Sequence, residues 1–160
     1  MFGILVATHG NFAEGIKDSV DMILGEQSQF ETVGLKRGQL AEDFGNVIHE
    51  KAEELLDKSE NKELFILTDL FSATPYNQSV LVAHKLLENK EAKSIKIVTG
   101  VNLPLLIEVI NGRMLGKDFE DIKNDTISAG ENGIIEFFDM LKSKGINRWG
   151  DDFYVKNCIS

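Results

Sequence analysis

The chain has very little cysteine, proline and tryptophan: its 160 residues contain one cysteine, two prolines and one tryptophan. Because Cys158 has no second cysteine to pair with, an intrachain disulfide and a cysteine metal cluster are both excluded. A lone cysteine without a histidine beside it is expected to be an unreactive residue. There is also no Pro-rich or low-complexity linker that would divide the chain into domains.

Long apolar runs are missing as well. The apolar start of the chain, residues 1–7, contains no basic residues and is soon interrupted by polar ones. This pattern is unlike a signal peptide and unlike a membrane-spanning helix. We therefore expect a cytoplasmic protein.

The chain has fewer basic than acidic residues: 17 lysines and arginines and 26 aspartates and glutamates give a formal net charge of -9. So acidic a chain is repelled by a phosphate backbone, and it has no basic run with interleaved aromatics, so nucleic acid binding is disfavoured.

The apolar fraction of 42% is that of a globular protein. We predict one domain over residues 1–144 and a C-terminal tail, residues 145–160, to which the sequence assigns no role.

What the chain does have is an alternation of apolar runs and amphipathic segments. Four short apolar runs occur at residues 3–7, 30–35, 64–68 and 95–99, and a stretch with helical spacing of apolar residues follows each of them. This order is typical of a parallel sheet with helices on both faces. We predict an α/β fold with a doubly wound, mostly parallel open sheet of four strands.

Capping residues predict where the helices begin and end. Asn11, with Glu14 three residues later, forms a capping-box pattern at the start of the first helix. Thr74 precedes Pro75, as expected of an N-cap followed by the first helical residue. A later helix is predicted to end at Gly130.

Polar loops follow the first and third predicted strands, at the edge where parallel sheets bind ligands. His9 follows the first strand and Asp69 follows the third. We expect the His9 ring to reach solvent with Asp69 beside it. A carboxylate that holds one ring nitrogen as N–H leaves the other nitrogen as a nucleophile, which is half of a phosphoryl carrier.

A phosphoryl carrier also needs groups that stabilise an anion. Helices are predicted to begin just after Gly10 and at Thr74, so that two helix N-termini face the site. Gly10 lets the backbone approach closely, and the hydroxyls of Ser72 and Thr74 can donate hydrogen bonds. We therefore assign Gly10, Ser72 and Thr74 to phosphate binding. Each helix dipole contributes only about 0.3–1 kcal/mol at an exposed position, which suits reversible transfer.

The other two histidines indicate no site. His49 and His84 fall inside predicted helices, and the sequence shows no cluster of Cys, Asp or Glu at ligand spacing around them. We interpret both as structural and predict no metal site. Taken alone, a histidine at a strand end is most often structural too, and an aspartate before a turn is most often a turn residue.

Three motifs taken together resemble the mannose-class IIA family of the sugar phosphotransferase system. They are VATHG at residues 6–10, DLFSATPYN at residues 69–77 and TGVNLP at residues 99–104, in the order found in that family. The resemblance covers residues 1–140. A histidine after the first strand combined with the loop pattern DxxxxTPxN is far more specific than either motif alone.

The resemblance implies a phosphoryl relay without a metal or an organic cofactor. His9 would take the phosphoryl group from the phosphocarrier protein HPr and pass it to a IIB subunit, and the sugar would be phosphorylated only at the membrane components IIC and IID. In the family, the residue matching Asp69 orients the histidine and the residue matching Thr74 helps to hold the phosphoryl group. Peripheral association with IIC and IID is a further expectation.

The resemblance also implies the flavodoxin-like strand order and a homodimer. In the family the last strand is antiparallel and exchanged between subunits, which would make residues 134–138 a fifth, edge strand; periodicity alone leaves this segment open between helix and strand. Ser72 and Ala73 replace a Gly-Gly pair of many relatives, which puts the loop conformation in question. The sugar is left unassigned.

Three alternatives stay open. A receiver domain of two-component signalling shares this sheet, but it needs acidic metal ligands after the first strand, and those acids are missing. A flavin-binding or small-anion-binding module needs a phosphate-wrapping first loop, which residues 8–11 do not resemble. The phosphotransfer subunit of a dihydroxyacetone kinase has the same fold and histidine. The neighbouring genes would distinguish that function from a function in sugar transport.

Overall fold

The computed structural model describes residues 1–144, which contain four strands and six helices. The strands are β1 (Gly3–His9), β2 (Phe30–Leu35), β3 (Glu63–Thr68) and β4 (Ser94–Thr99). The helices are α1 (Phe12–Leu24), α2 (Ala41–Lys58), α3 (Thr74–Glu88), α4 (Leu103–Met114), α5 (Phe119–Asn132) and α6 (Phe137–Ser143). The predicted tail, residues 145–160, and with it Cys158, lie outside the described residues. None of these six helices is both long and apolar enough to cross a membrane.

The strands form one parallel sheet in the order β2-β1-β3-β4, which confirms the predicted doubly wound α/β class. The chain leaves the central strand β1 to form β2 on one side and then crosses to the other side for β3 and β4. The connections therefore diverge between β1 and β3, where they open a crevice at the carboxyl ends of the strands. β1 and β3 are in register from Gly3↔Leu64 to Ala7↔Thr68.

The sheet separates two hydrophobic cores. Ile4 and Val6 of β1 belong to the core shared with α1, α4 and α5, whereas Leu5 and Ala7 belong to the core shared with α2 and α3. All four side chains are fully buried. A strand covered on both faces reads as a continuous apolar run, and such a strand gives His9, at its end, a rigid attachment.

The first helix begins in a way that the capping-box prediction does not describe. Asn11 occupies the N-cap position, but its side chain makes no capping hydrogen bond. The Thr8 hydroxyl, fully buried near the end of β1, accepts a hydrogen bond from the Ala13 amide at 2.8 Å. Asn11 and Glu14 are exposed and contact the Lys36 ammonium at 3.2 and 3.3 Å. The predicted capping box is wrong, because a buried strand hydroxyl supplies the cap.

Two further predicted boundaries are wrong. Thr74 is the first residue of α3, and Ala73 holds the N-cap position without a side chain that can cap; Pro75 stands in the first turn as predicted. Gly130 does not end α5, which continues beyond it. A Cβ at Gly130 would lie 3.1 Å from Leu105 Cδ1, so this glycine allows α5 to pack closely on α4.

A fifth strand is not formed within the described residues. Residues 134–136 have no regular structure, and α6 begins at Phe137. The Glu136 side chain caps this helix by accepting a hydrogen bond from the Asp139 amide at 2.7 Å. A five-residue segment without a neighbouring strand leaves its backbone groups unpaired, and a capped helical turn pairs them locally. The single chain therefore has no strand at residues 134–138, and the strand exchange expected of a dimer stays a prediction.

Candidate functional site

The carboxyl ends of β1 and β3 bring His9 and Asp69 together. His9 is the last residue of β1, where it pairs with Leu35 of β2. Asp69 directly follows Thr68, the last residue of β3. Because β1 and β3 are neighbouring parallel strands, two residues 60 positions apart in the chain reach the same edge of the sheet. The structure thus places the two side chains next to each other, as the sequence predicts.

The contact between the two side chains is short, and the backbone reinforces it. His9 Nδ1 lies 2.8 Å from Asp69 Oδ2, and the His9 amide donates to the same oxygen at 2.9 Å. The other carboxylate oxygen, Oδ1, accepts from the Leu70 amide at 2.9 Å. Two backbone amides therefore hold the carboxylate, and the carboxylate in turn fixes the orientation of the imidazole.

The imidazole is open to solvent, whereas its partner is largely covered. The His9 side chain is 45% exposed and the Asp69 side chain is 17% exposed. When Nδ1 carries its proton toward the carboxylate, Nε2 keeps a lone pair. No side chain or amide of residues 1–144 donates a hydrogen bond to Nε2. The arrangement is one nucleophilic nitrogen on a fixed and accessible ring.

Opposing effects act on the pKa of the Asp69 carboxyl. Partial burial raises the pKa, whereas hydrogen bonds from the His9 amide and ring, and the positive charge of a protonated His9 ring, lower it. The lowering effects prevail, so the pKa lies below the ordinary value for an aspartate. Asp69 is therefore ionised at neutral pH and able to accept a hydrogen bond from Nδ1.

Gly10, which the sequence analysis assigns to phosphate binding, forms the turn after His9. It has a positive φ of 58°, and its amide donates to the Leu35 carbonyl at 2.9 Å. Because that amide is already paired, it is unavailable to a phosphoryl group. Gly10 shapes the turn at the site and supplies no donor.

Gly34 and Thr8 support this turn, and neither is among the residues singled out from the sequence. A Cβ on Gly34 would lie 2.0 Å from the Gly10 carbonyl oxygen, so only glycine allows β2 to pass so close to the turn. Thr8 fixes the start of α1 through its hydroxyl. An isolated glycine within a strand is a signal of close backbone approach, and that signal could have identified Gly34. A threonine before a histidine carries no such signal.

Ser72 and Thr74 lie on the loop that connects Asp69 to α3. Ser72 is exposed with a positive φ of 61°, and its carbonyl accepts a hydrogen bond from Asn77 Nδ2 at 3.1 Å. The loop therefore turns in a left-handed conformation without a glycine, a form of backbone strain that is common at functional sites. The hydroxyls of Ser72 and Thr74 have no hydrogen-bond partner among the described residues. Both remain able to donate to an anion.

An exposed apolar surface adjoins the site; it consists of Leu70, Phe71 and Tyr76. Leu70 and Phe71 are 60% and 67% exposed, and the rings of Phe71 and Tyr76 lie 5.0 Å apart. These two rings line an open cavity of about 490 Å³ that continues along β4 past Ile97. Apolar side chains exposed beside a reactive group are typical of a surface that binds another protein.

The other two histidines also have carboxylate partners. His84 pairs with Glu88 at 3.1 Å on α3. His49 pairs with Glu53 at 3.2 Å on α2, and the ligand atoms of His49, Glu53 and Glu91 lie within 4.8 Å of one another. The expectation that no acids surround His49 at ligand spacing is wrong, because Glu53 is one helical turn away and the fold adds Glu91. These three residues could hold a metal ion.

Fold and site together define a doubly wound α/β domain that presents a histidine, oriented by an aspartate, at the carboxyl edge of its sheet. The chain belongs to the EIIA-man family of the phosphotransferase system, since the family model described as "PTS system fructose IIA component" matches residues 3–127. This confirms the family resemblance stated from the three motifs.

Individual relatives agree with the family match. The fructose-specific EIIA component of Bacillus subtilis (strain 168) is 30% identical over 113 residues, which are 71% of this chain and 71% of the relative. The mannose-specific EIIAB component of Escherichia coli (strain K12) is 26% identical over 145 residues; these are 91% of this chain and 41% of the relative, so the chain spans less than half of that protein. The solved structure of the phosphotransferase system component EIIA from Streptococcus agalactiae has a TM-score of 0.73 and 28% identity, covering 87% of this chain and 99% of that chain.

Proposed function

We propose that the protein is a phosphoryl carrier in sugar uptake, in which His9 accepts a phosphoryl group from the phosphocarrier protein HPr and passes it to a IIB subunit. The observation that carries the proposal is the 2.8 Å contact between His9 Nδ1 and Asp69 Oδ2 on a ring that is 45% exposed. This contact leaves Nε2 as the reactive nitrogen. Membership of the EIIA-man family supports the same role.

The transfer is an exchange of the phosphoryl group between two histidine nitrogens. The Nε2 lone pair attacks phosphorus, the bond from phosphorus to the donor nitrogen breaks, and its electron pair stays on that nitrogen. His9 loses no proton, because Nε2 carries none and Nδ1 keeps its own. The ring gains positive charge in this step, and the Asp69 carboxylate, 2.8 Å away, stabilises it. In the transfer to IIB, His9 is the donor: the acceptor nitrogen of IIB attacks phosphorus, the bond from phosphorus to Nε2 breaks, and its electron pair stays on Nε2.

Ser72, Thr74 and the N-terminus of α3 are the groups proposed to hold the phosphoryl oxygens. The two hydroxyls lie on the loop that starts at Asp69, and α3 begins at Thr74. A helix N-terminus at an exposed position contributes about 0.3–1 kcal/mol to anion binding. The proposed role of Gly10 is to keep the turn after His9 free of a side chain that would block the phosphoryl group.

The apolar surface of Leu70, Phe71 and Tyr76 is proposed to receive HPr and IIB in turn. Both partners have to approach His9 Nε2 to bonding distance, and two of these side chains are more than half exposed next to Asp69. A homodimer and peripheral association with IIC and IID are further proposals that follow the family resemblance. A cytoplasmic location and a domain that extends over residues 1–144 are proposals that follow the composition and length of the chain. The sugar is not assigned, since the relatives are named for fructose and for mannose.

A labelling experiment tests the proposal. Incubation of the full chain with phosphoenolpyruvate, enzyme I and HPr is expected to place one alkali-stable phosphoryl group on each chain, and His9→Ala is expected to abolish it. His84→Ala is the matched control, because His84 also has a carboxylate partner, at 3.1 Å. That variant should be labelled as the wild type is. Labelling that persists in His9→Ala would overturn the assignment.

A further inference from the structure

We infer that His49, Glu53 and Glu91 form a binding site for a divalent transition-metal ion, for which zinc is the best fit. His49 and Glu53 are one turn apart on α2, and Glu91 follows α3 in the connection to β4. Their ligand atoms all lie within 4.8 Å of one another. None of the three residues belongs to the site around His9, so this inference does not depend on the proposed phosphoryl transfer.

The separations are close to those that zinc requires. Zinc bonds of 2.0–2.1 Å place neighbouring atoms of a tetrahedral ligand set about 3.3 Å apart. His49 Nδ1 and Glu53 Oε2 are already 3.2 Å apart. Glu91 therefore has to approach by at most about 1.5 Å to complete a three-ligand set, and rotation of its side chain supplies a movement of that size.

Among the described residues, no basic side chain neutralises the carboxylates of Glu53 and Glu91. Neither Glu53 nor Glu91 forms an ion pair with lysine or arginine in the described part of the chain, whereas the neighbouring Glu54 pairs with Lys51 at 2.9 Å. Glu53 and Glu91 line one open cavity of about 480 Å³, and the other charged residues of its lining are Glu50, Glu54, Asp57, Lys62 and Lys90. A divalent cation would relieve the repulsion between the carboxylates.

Two lysines, Lys62 and Lys90, line the same cavity as Glu53 and Glu91 and could compete with a metal ion for the two carboxylates. Lys62 is held by Asp57 at 3.0 Å, and Lys90 lines the same cavity without an ion pair to any described residue. An ammonium group carries one charge and forms hydrogen bonds, whereas zinc carries two charges and forms coordinate bonds. We therefore expect Lys90→Gln to leave zinc binding unchanged or to strengthen it.

The ligand types favour zinc over the harder cations. One imidazole nitrogen and two carboxylates match the mixed nitrogen and oxygen ligands of zinc, whereas magnesium and calcium prefer oxygen ligands throughout. Three protein ligands leave the fourth position to water. The His49 side chain is 18% exposed, so its ring is already ordered by the surrounding structure and loses little freedom on binding.

The chain supplies its own control. His84 and Glu88 have the same spacing on a helix and a similar separation of 3.1 Å, but they belong to no three-residue ligand group among residues 1–144. If a helical His–Glu pair were enough for binding, both pairs would bind zinc alike. If Glu91 completes a site, only the His49 pair binds tightly.

Zinc titration of the full, untagged chain tests the inference, with calorimetry or competition against a chromogenic chelator as the readout. Cys158→Ser is used as the background, because a thiolate is itself a strong zinc ligand. We expect one tight equivalent, a loss of affinity of at least tenfold in both His49→Ala and Glu91→Gln, and no change in His84→Ala. His9→Ala assigns any second, weaker equivalent to the His9–Asp69 pair.

Glu91→Gln is the decisive variant, because it removes a charge without emptying a packed position, whereas His49→Ala also removes a largely buried ring. Absence of zinc binding would overturn the inference. So would equal losses in His49→Ala and His84→Ala. Unchanged zinc affinity in Glu91→Gln would mean that only His49 and Glu53 bind the ion, and it would overturn the inference as well.

Discussion

The carboxyl edge of the sheet and the surface of α3 each pair a histidine with a carboxylate. At the sheet edge, His9 Nδ1 and Asp69 Oδ2 are 2.8 Å apart, and both carboxylate oxygens also accept hydrogen bonds from backbone amides. On α3, His84 and Glu88 are 3.1 Å apart, with side chains that are 67% and 70% exposed. The two distances are similar, but only the sheet edge fixes its carboxylate through the backbone.

The comparison shows that a short contact does not by itself make a reactive site. An exposed pair of flexible side chains is worth only about 0–1 kcal/mol and has to order both partners each time it forms. At the sheet edge the strands have already ordered the pair, so the ring is held in one orientation before a partner arrives. Four predictions test this difference, and they run from the largest expected effect to the smallest.

Removal of the orienting carboxylate should have the largest effect. Asp69→Ala is expected to slow phosphoryl transfer from HPr by about a hundredfold, because the ring loses its fixed orientation. Glu88→Ala should leave the rate unchanged. Rapid-quench measurement of the transfer rate provides the comparison, and circular dichroism should show that both variants are folded. Equal rates in the two variants, or an unfolded Asp69→Ala protein, would argue against the account.

The second prediction concerns the backbone beneath the histidine. Gly34→Ala places a Cβ 2.0 Å from the Gly10 carbonyl oxygen, so it should lower the free energy of unfolding by about 1–3 kcal/mol and slow transfer as the turn moves. Gly15→Ala is the control, since a Cβ there meets nothing within 4 Å. As the fourth residue of α1, an alanine there should stabilise the protein by about 0.5–1 kcal/mol. Urea denaturation measures the free energy of unfolding of both variants. A value for Gly34→Ala equal to that of the wild type would show that the turn is not constrained.

The third prediction separates the two candidate caps of α1. Thr8→Val removes the hydroxyl that accepts from the Ala13 amide, and it should lower the free energy of unfolding by about 1–2 kcal/mol. Asn11→Ala should cost less than about 0.5 kcal/mol, because Asn11 makes no capping hydrogen bond. Denaturation of the two variants under the same conditions decides between them. A larger loss in Asn11→Ala would restore the capping box predicted from the sequence.

The smallest effect is on the pH dependence of stability. The pKa of the Asp69 carboxyl is lowered in the folded protein relative to a value of about 3.9 in an unfolded chain. Its contribution to stability is therefore fully present above about pH 4 and is lost as the pH falls through the lower, folded pKa. The difference in unfolding free energy between wild type and Asp69→Asn should be constant near neutral pH and shrink in acid. A difference that grows in acid would contradict this sign.

The strand positions and the approach of Asp69 to His9 could be predicted from the sequence. Buried strands such as β1, Gly3–His9, read directly as apolar runs, and neighbouring parallel strands end at one edge. Two local patterns, an apolar run and the polar residue after it, were therefore enough to predict the centre of the site.

The remaining features depend on contacts between residues distant in sequence. Gly34 matters because of the Gly10 carbonyl, and Glu91 reaches His49 only after α3 has packed beside α2. At Gly130 and Asn11 the local sequence carries an ordinary boundary signal, but packing against α4 and the Thr8 hydroxyl determine the outcome. Local signals are weak where a tertiary contact satisfies the same backbone group.

The most direct measurement is to determine which nitrogen of His9 carries the phosphoryl group. The protein is labelled with ¹⁵N in histidine, phosphorylated with enzyme I and HPr, and examined by correlation of the ring nitrogens with the ring protons and with phosphorus. Because Asp69 Oδ2 lies 2.8 Å from Nδ1, the account predicts phosphorylation at Nε2, with the proton retained at Nδ1. A phosphoryl group on Nδ1 of His9 would contradict it.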